Sequence, residues 1–276
     1  MDAAHDGPGD FLALTRKISR DRGFACASYK ERCLRRRVAV RMRARGVHTY
    51  QDYARILDAD HDEYDRLLDA LTINVTKLFR NWDAYAALAA HVIPVLWHRE
   101  TPMIRVWSAG CSSGDEPYSL AILFHRYAAV NGMLAQLGRV HVIGTDIDRQ
   151  CLDAAARGQF EQSDFADTPD ELRHRYFSAA PPYTVAPAIR SMTRFESRDL
   201  LRDGAPGGPS LRFDLIACRN VLIYFDRETQ EALFDAFHDA LAPGGFLMLG
   251  KVETLLGNAR TRFAAVDARE RIFRRL

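Results

Sequence analysis

Residues 103–124 place a short apolar run, a loop of small residues and a helix-forming stretch in immediate succession. Met103-Ile-Arg-Val106 reads as a strand, and Leu120-Ala-Ile-Leu-Phe124 reads as a helix. Between them lies Trp107-Ser-Ala-Gly-Cys-Ser-Ser-Gly-Asp-Glu-Pro-Tyr-Ser119. A strand, a tight loop and a helix open the ligand site of a doubly wound α/β sheet. Gly110 and Gly114 permit a sharp turn and leave no Cβ in a ligand's way. Their G-x-x-x-G spacing is not the dinucleotide fingerprint, and no Gly-Lys-Ser/Thr ending of a phosphate-cradling loop follows. The loop ends in Asp115 and Glu116, which repel a phosphate but suit an ammonium group or ribose hydroxyls.

The rest of the C-terminal part keeps the alternation. Val140-His-Val-Ile-Gly-Thr145 reads as a second strand ending in Asp146, and residues 150–158 as a short helix. Residues 211–217 and 246–250 are further apolar strands, separated by a helix over 230–241 that Pro243-Gly244-Gly245 stops. The interval 177–195, with Pro181-Pro182, reads as a short hairpin-like insertion. Strands alternating with helices predict a mostly parallel sheet, a Rossmann-like doubly wound domain over 103–276.

The first 72 residues differ. Beyond a flexible tail of about ten residues they have helical spacing with few Gly or Pro, which predicts a small all-α domain. Between Arg16 and Arg45 stand twelve Arg or Lys against Asp21 and Glu31. The run from Arg32 to Arg45 keeps Leu34, Val38, Val40 and Met42 among its basic residues, so it predicts a cationic amphipathic helix ending at Gly46. Residues 73–102 read as a linker helix that contributes to the cleft.

Composition sets the outer bounds. With 276 residues and 47% hydrophobic content, the chain can bury a sizeable core in one large or two small domains. No apolar run approaches a membrane span, and the N-terminus has no secretory pattern. Five cysteines without C-x-x-C fit reduced thiols in the cytosol, so a cytoplasmic location is expected. The scattered histidines form no zinc motif, no metal is expected, and no G-x-S-x-G elbow exists.

Ligands of such sheets lie outside the carboxyl ends of the strands. Asp146, at one such end, suits ribose hydroxyls, although Asp is also a favoured helix cap. Glu116 is either a ligand carboxylate or a first-turn acid complementing the helix dipole. Asp199 before Leu200-Leu201 suits an adenine amino group and its flat face, or is a turn residue. Tyr224 alone reads as a core aromatic on an apolar stretch, and only the Arg219 to Asp226 context favours a site.

Five segments in order resemble one family. They are Asn74-Val-Thr76 with Phe79-Arg80, the 107–119 loop, Gly144-Thr-Asp-Ile-Asp148, Cys218-Arg-Asn-Val-Leu-Ile-Tyr-Phe-Asp226 with Thr229-Gln230, and Leu241-Ala-Pro-Gly-Gly245. Together they look like the chemotaxis receptor methyltransferases, the CheR family, from about residue 11 to the C-terminus. The resemblance implies an S-adenosylmethionine-dependent enzyme that methylates glutamate side chains of chemoreceptors to γ-glutamyl methyl esters. It implies cofactor binding by Asn74, Thr76, Arg80, Gly110, Glu116, Asp146, Asp199, Leu200, Asn220 and Val221. It places Arg80 and Tyr224 nearest the transferred methyl.

The basic helix then gains a partner, the acidic methylation helices of receptors. Nucleic acid is not expected, since aromatic interleaving is sparse and the net charge is only +2. Direct membrane insertion is not expected either. Two departures from the family pattern stand out. Gly250-Lys-Val-Glu253 replaces Gly-His-Ser-Glu. The short 177–195 insertion implies that a receptor tail pentapeptide tether is absent or used differently. The rival readings are a non-catalytic S-adenosylmethionine-sensing or docking module, and a methyltransferase for another protein acceptor.

Overall fold

The computed structural model describes residues 8–72 and 75–276. These residues divide into two compact units: 8–72 with Tyr224–Thr229, and 75–223 with Gln230–Leu276.

The first unit is helical, with α1 (Pro8–Arg22), α2 (Glu31–Ala44), α3 (Tyr50–Ala59) and α4 (His61–Thr72). In α2, Leu34, Val38 and Met42 recur every fourth residue and are buried, while Arg32, Arg36 and Arg43 are exposed. The helix ends as the sequence predicts. Gly46 takes φ 67°, the Gly46 N–H donates to the Arg43 carbonyl and the Val47 N–H to the Met42 carbonyl. Glu63 on α4 is fully buried and accepts both prongs of Arg41, at 3.0 and 2.6 Å, plus the Tyr53 hydroxyl at 2.8 Å. One carboxylate thus ties α2, α3 and α4 together. Residues 224–229 join this unit: Lys30 N–H donates to the Tyr224 carbonyl, and the Tyr29 and Phe225 rings lie 4.8 Å apart.

In the second unit the strands are β1 (Ile104–Ala109), β2 (Val140–Asp146), β3 (Thr193–Ser197), β4 (Phe213–Cys218), β5 (Leu241–Leu249), β6 (Phe263–Asp267) and β7 (Ile272–Arg275). They form one sheet in the order β3-β2-β1-β4-β5-β7-β6. The first five are parallel, and β7 is antiparallel to β5 and β6. The chain leaves β1 toward β2 and β3, then returns to β4 on the other side of β1. The topological switch point therefore lies between β1 and β4. Connections carry α7 (Asp115–Val130) after β1, α8 (Arg149–Arg157) after β2, α9 (Asp170–Tyr176) before β3, and α10 (Arg227–Ala240) after β4.

Three local expectations are refined. Of the expected 73–102 linker helix, residues 73–74 lie outside the described residues. Its helical part breaks at Val92 into α5 (Trp82–His91) and α6 (Ile93–Trp97), because Pro94 has no N–H to continue the ladder. Phe79, Tyr85, Leu88 and Trp97 are buried in the core shared with β1 and α7. Second, β5 starts at Leu241, before Pro243. Leu241 pairs with Phe213 and Phe246 with Leu215, so Pro243 and both glycines sit in an irregular bulge where no N–H is needed.

The expected 177–195 hairpin is shorter. Phe177 bridges Val185 antiparallel around Pro181-Pro182, with the Ser178 N–H donating to the Thr184 carbonyl at 3.0 Å and the Ala186 N–H to the Tyr176 carbonyl at 2.8 Å. Tyr183–Thr184 also pairs antiparallel with Gln159–Phe160, while Thr193–Ser197 leaves the hairpin and forms the edge strand of the main sheet.

Candidate active site

The loop after β1 reverses through three left-handed residues, Gly110 (φ 77°), Ser112 (φ 48°) and Gly114 (φ 90°). The carboxyl end of β2 holds it. Gly110 and Cys111 N–H both donate to the Thr145 carbonyl, at 2.8 and 3.0 Å. Ser112 N–H donates to Asp146 Oδ2 at 2.8 Å, and Asp148 N–H donates to Asp146 Oδ1 at 3.0 Å. Asp146 is therefore not the helix cap. Asp148 caps α8, accepting from the Gln150 and Cys151 N–H groups. The glycines serve close approach within the protein itself. A Cβ on Gly110 would stand 2.5 Å from Val221 Cγ2, and one on Gly114 would stand 2.8 Å from Ala155 Cβ.

Two buried carboxylates open α7. Glu116 accepts from Ser108 Oγ at 2.7 Å. Burial pushes its pKa upward, against the opposing pull of the Arg219 charge and the Ser108 hydrogen bond. Asp115 accepts from Ser113 Oγ at 2.8 Å, and burial raises its pKa to about 6. Burial also raises Asp146, while the backbone N–H groups of Asp148 and Ser112 favour its ionised form.

The segment leading to Arg80 is held at each peptide. Leu78 N–H donates to the Asp164 carbonyl at 3.0 Å, Phe79 N–H to Ser119 Oγ at 2.8 Å, and Asn81 N–H to Asp167 Oδ2 at 2.9 Å. These bonds fix Phe79 (φ 52°) and Asn81 (φ 60°) in a region that non-glycine residues rarely enter. Arg219, buried at the end of β4, donates to the Arg80 carbonyl at 2.8 Å, to Asn81 Oδ1 at 3.3 Å and to the Tyr85 hydroxyl at 3.3 Å. Arg80 Nη1 donates to the Val75 carbonyl at 2.8 Å, and its charge is among those favouring ionised Glu116. Thr76 is half-buried beside this segment in sequence, and Asn74 lies outside the described residues.

Beyond β4, Asn220 is left-handed (φ 61°), and its Oδ1 is buried with no hydrogen-bond partner among the described residues. At the end of β3, Arg198 N–H donates to the Asp146 carbonyl at 2.9 Å, bringing that strand end beside β2. Asp199 Oδ1 accepts the Leu201 N–H and Oδ2 lies 3.5 Å from Arg202 Nε, so the residue forms a turn; Leu200 is half-buried next to it. Tyr224 groups with the first unit. Lys251 and Val252, the changed pair, are exposed, with Val252 at 74%, whereas Gly250 and Glu253 are buried.

Sequence patterns single out neither Arg219 nor Ser108, Ser119 and Glu253. Only the adjacency of Arg219 to Asn220, and the retained Gly-x-x-Glu spacing at 250–253, point toward two of them.

The donor set is informative. Carboxylates stand at three adjacent positions, with Glu116 after β1, Asp146 at the end of β2 and Asp199 after β3, and after β4 stands the Asn220 carbonyl oxygen, which has no partner among the described residues. Such a set fits a cofactor that carries positive charge and hydroxyl groups, as S-adenosylmethionine does. The comparisons agree. The family described as "CheR methyltransferase, SAM binding domain" matches residues 74–272, and "CheR methyltransferase, all-alpha domain" matches residues 9–72. A chemotaxis protein methyltransferase of Listeria monocytogenes is 34% identical over 94% of this chain and 95% of its own length. Chemotaxis protein methyltransferase 1 of Pseudomonas aeruginosa is 32% identical over 92% of each chain. That of Salmonella typhimurium is 32% identical over 88% of this chain and 83% of its own. The chain belongs to the CheR methyltransferase family, with an S-adenosylmethionine-binding domain after an all-α one.

Proposed function

We propose that the protein transfers a methyl group from S-adenosylmethionine to glutamate side chains of chemoreceptors, forming γ-glutamyl methyl esters. The observation that carries the reading is the pairing of buried Glu116 with Ser108 beside Arg219, which also grips the Arg80 carbonyl. The relatives named chemotaxis protein methyltransferases, matched along most of the chain, support the acceptor class.

In this reading Glu116 faces the amino-acid portion of the cofactor, Asp146 its ribose, and Asp199 with Leu200 its adenine. Asn74, Thr76, Gly110, Asn220 and Val221 complete the pocket. The cofactor supplies a methyl already activated on a sulfonium. A glutamate acceptor is ionised at neutral pH, so no general base is required. What the chain must supply is alignment. Arg80, held by its backbone, orients a carboxylate, either the acceptor's or the cofactor's. Tyr224 is the second residue assigned to the methyl.

The α2 helix serves as the receptor-facing surface. Arg35, Arg41 and Arg45 are engaged by Glu31, Glu63 and Asp60, which leaves exposed Arg32, Arg36 and Arg43 to meet an acidic methylation helix. No described helix is long and apolar enough to cross a membrane, and a cytoplasmic enzyme acting on the inner ends of receptors fits this reading.

Labelled methyl transfer to receptor-containing membranes tests the proposal. A base-labile product is expected. An alkali-stable product refutes the ester, and S-adenosylhomocysteine binding without transfer turns the reading into a sensing module.

A further inference from the structure

One buried carboxylate joins the carboxyl ends of β4 and β5. Glu253 is 4% exposed. Its Oε2 accepts from Asn220 N–H at 2.9 Å and from Gly250 N–H at 2.6 Å, and its Oε1 accepts from Ile223 N–H at 3.3 Å. These backbone N–H groups favour the ionised form against the upward push of burial. Gly250 has to be bare, since a Cβ there would lie 2.7 Å from Glu253 Oε2 and 2.8 Å from Asn220 N. The intervening Lys251 and Val252 face solvent, so the spacing of Gly250 and Glu253 carries the arrangement.

What Glu253 holds is the turn that a non-glycine residue resists. Asn220 is left-handed, a conformation that a non-glycine residue keeps where its surroundings fix it. The next residue, Val221, is the one packed into the space a Gly110 side chain would take. The distance between the β1 loop and the β4 turn, at the switch point of the sheet, thus depends on Asn220, and Asn220 depends on Glu253.

We propose that Glu253 is a positioning residue of the cofactor crevice, holding the Asn220–Val221 turn in the conformation that admits the methyl donor. The inference rests on reading the crevice between β1 and β4 as the S-adenosylmethionine pocket.

The test is calorimetry with S-adenosylhomocysteine at 25 °C on wild type, Glu253→Gln and Glu253→Ala, with thermal midpoints recorded. Glu253→Gln keeps the volume and one acceptor oxygen. It is expected to bind about tenfold more weakly, the size of one lost charge-assisted hydrogen bond. Its KM for receptor membranes should change less than about twofold. A lowered midpoint with unchanged affinity makes Glu253 merely architectural and overturns the proposal. Should the variants fail to fold, the amide NMR signals of Asn220 and Gly250 in wild type decide. They are expected to move on S-adenosylhomocysteine titration, and their standing still overturns the proposal. Wild type that does not bind S-adenosylhomocysteine refutes the pocket reading itself.

Discussion

Arg219 donates through Nη2 to the main-chain carbonyl of Arg80 at 2.8 Å, across 139 residues of sequence. The same guanidinium reaches the Asn81 side chain and the Tyr85 hydroxyl, and it is the strongest charge favouring ionised Glu116. One buried cation therefore sets both the backbone of the Arg80 segment and the charge of the carboxylate that opens α7. Arg219→Gln should remove the largest charge favouring ionised Glu116 and release the Arg80 segment. The Arg80 carbonyl then loses its charged donor, at a cost of about 1–3 kcal/mol. Arg219→Lys keeps the charge but not the fork, so it should retain S-adenosylhomocysteine binding better than Arg219→Gln while both lose transfer. Calorimetry and labelled transfer on the two variants check this ordering, and equal affinities would count against it.

Asp115 gives a pH signature. Its folded pKa of about 6 lies above the ordinary carboxylate value because burial disfavours the charge. The folded state therefore binds its proton more tightly than the unfolded chain. The stabilising contribution is fully present below about pH 4 and is lost as pH rises from there to about 6. Two units correspond to about 3 kcal/mol at most. Asp115→Asn should flatten the fall in stability between those pH values relative to wild type. Urea unfolding across that range measures the difference, and parallel curves for the two proteins contradict it.

Part of this site is readable from residue order. The β4 strand is fully buried and, save for Asp214, carries no charged residue, so residues 213–218 are legible as a central strand. The 107–119 loop is legible because two glycines and then two carboxylates follow a strand end. The edge strand Thr193-Arg-Phe-Glu-Ser197 is not, since it is polar at every position but Phe195 and pairs on one side only. The need for Gly110 to be bare is invisible too, because it arises from Val221, more than a hundred residues away. Side-chain to backbone bonds such as Ser119 to Phe79 or Arg219 to Arg80 follow no period, and only the folded chain brings them together.

Ser119 supplies a third test. Its Oγ donates to the Asp115 carbonyl at 2.6 Å and accepts the buried Phe79 N–H at 2.8 Å. Ser119→Ala removes the acceptor of that N–H and leaves it unsatisfied, at a cost of about 1–3 kcal/mol. The strained Phe79 should relax and carry Arg80 with it. The expected result is a lower unfolding midpoint in urea together with a fall in kcat larger than any rise in KM. Ser119→Thr, which keeps the hydroxyl, should recover part of both, and failure of that recovery would assign the loss to packing.

The arginines of α2 separate into two kinds, and substitution should separate them further. Arg41 is bound by the fully buried Glu63, so Arg41→Gln should destabilise the first unit by about 3–5 kcal/mol. Arg32, Arg36 and Arg43 are exposed, and their conversion together to Glu should move stability by less than about 1 kcal/mol. If the exposed face meets an acidic receptor helix, the triple substitution should lower kcat/KM for receptor membranes by about tenfold or more at low salt. The gap to wild type should shrink toward about 1 M ionic strength, where charges more than about 3 Å apart are screened. S-adenosylhomocysteine affinity should not change, because no residue assigned to the cofactor is altered. A salt-independent loss, or none, would remove α2 from receptor recognition.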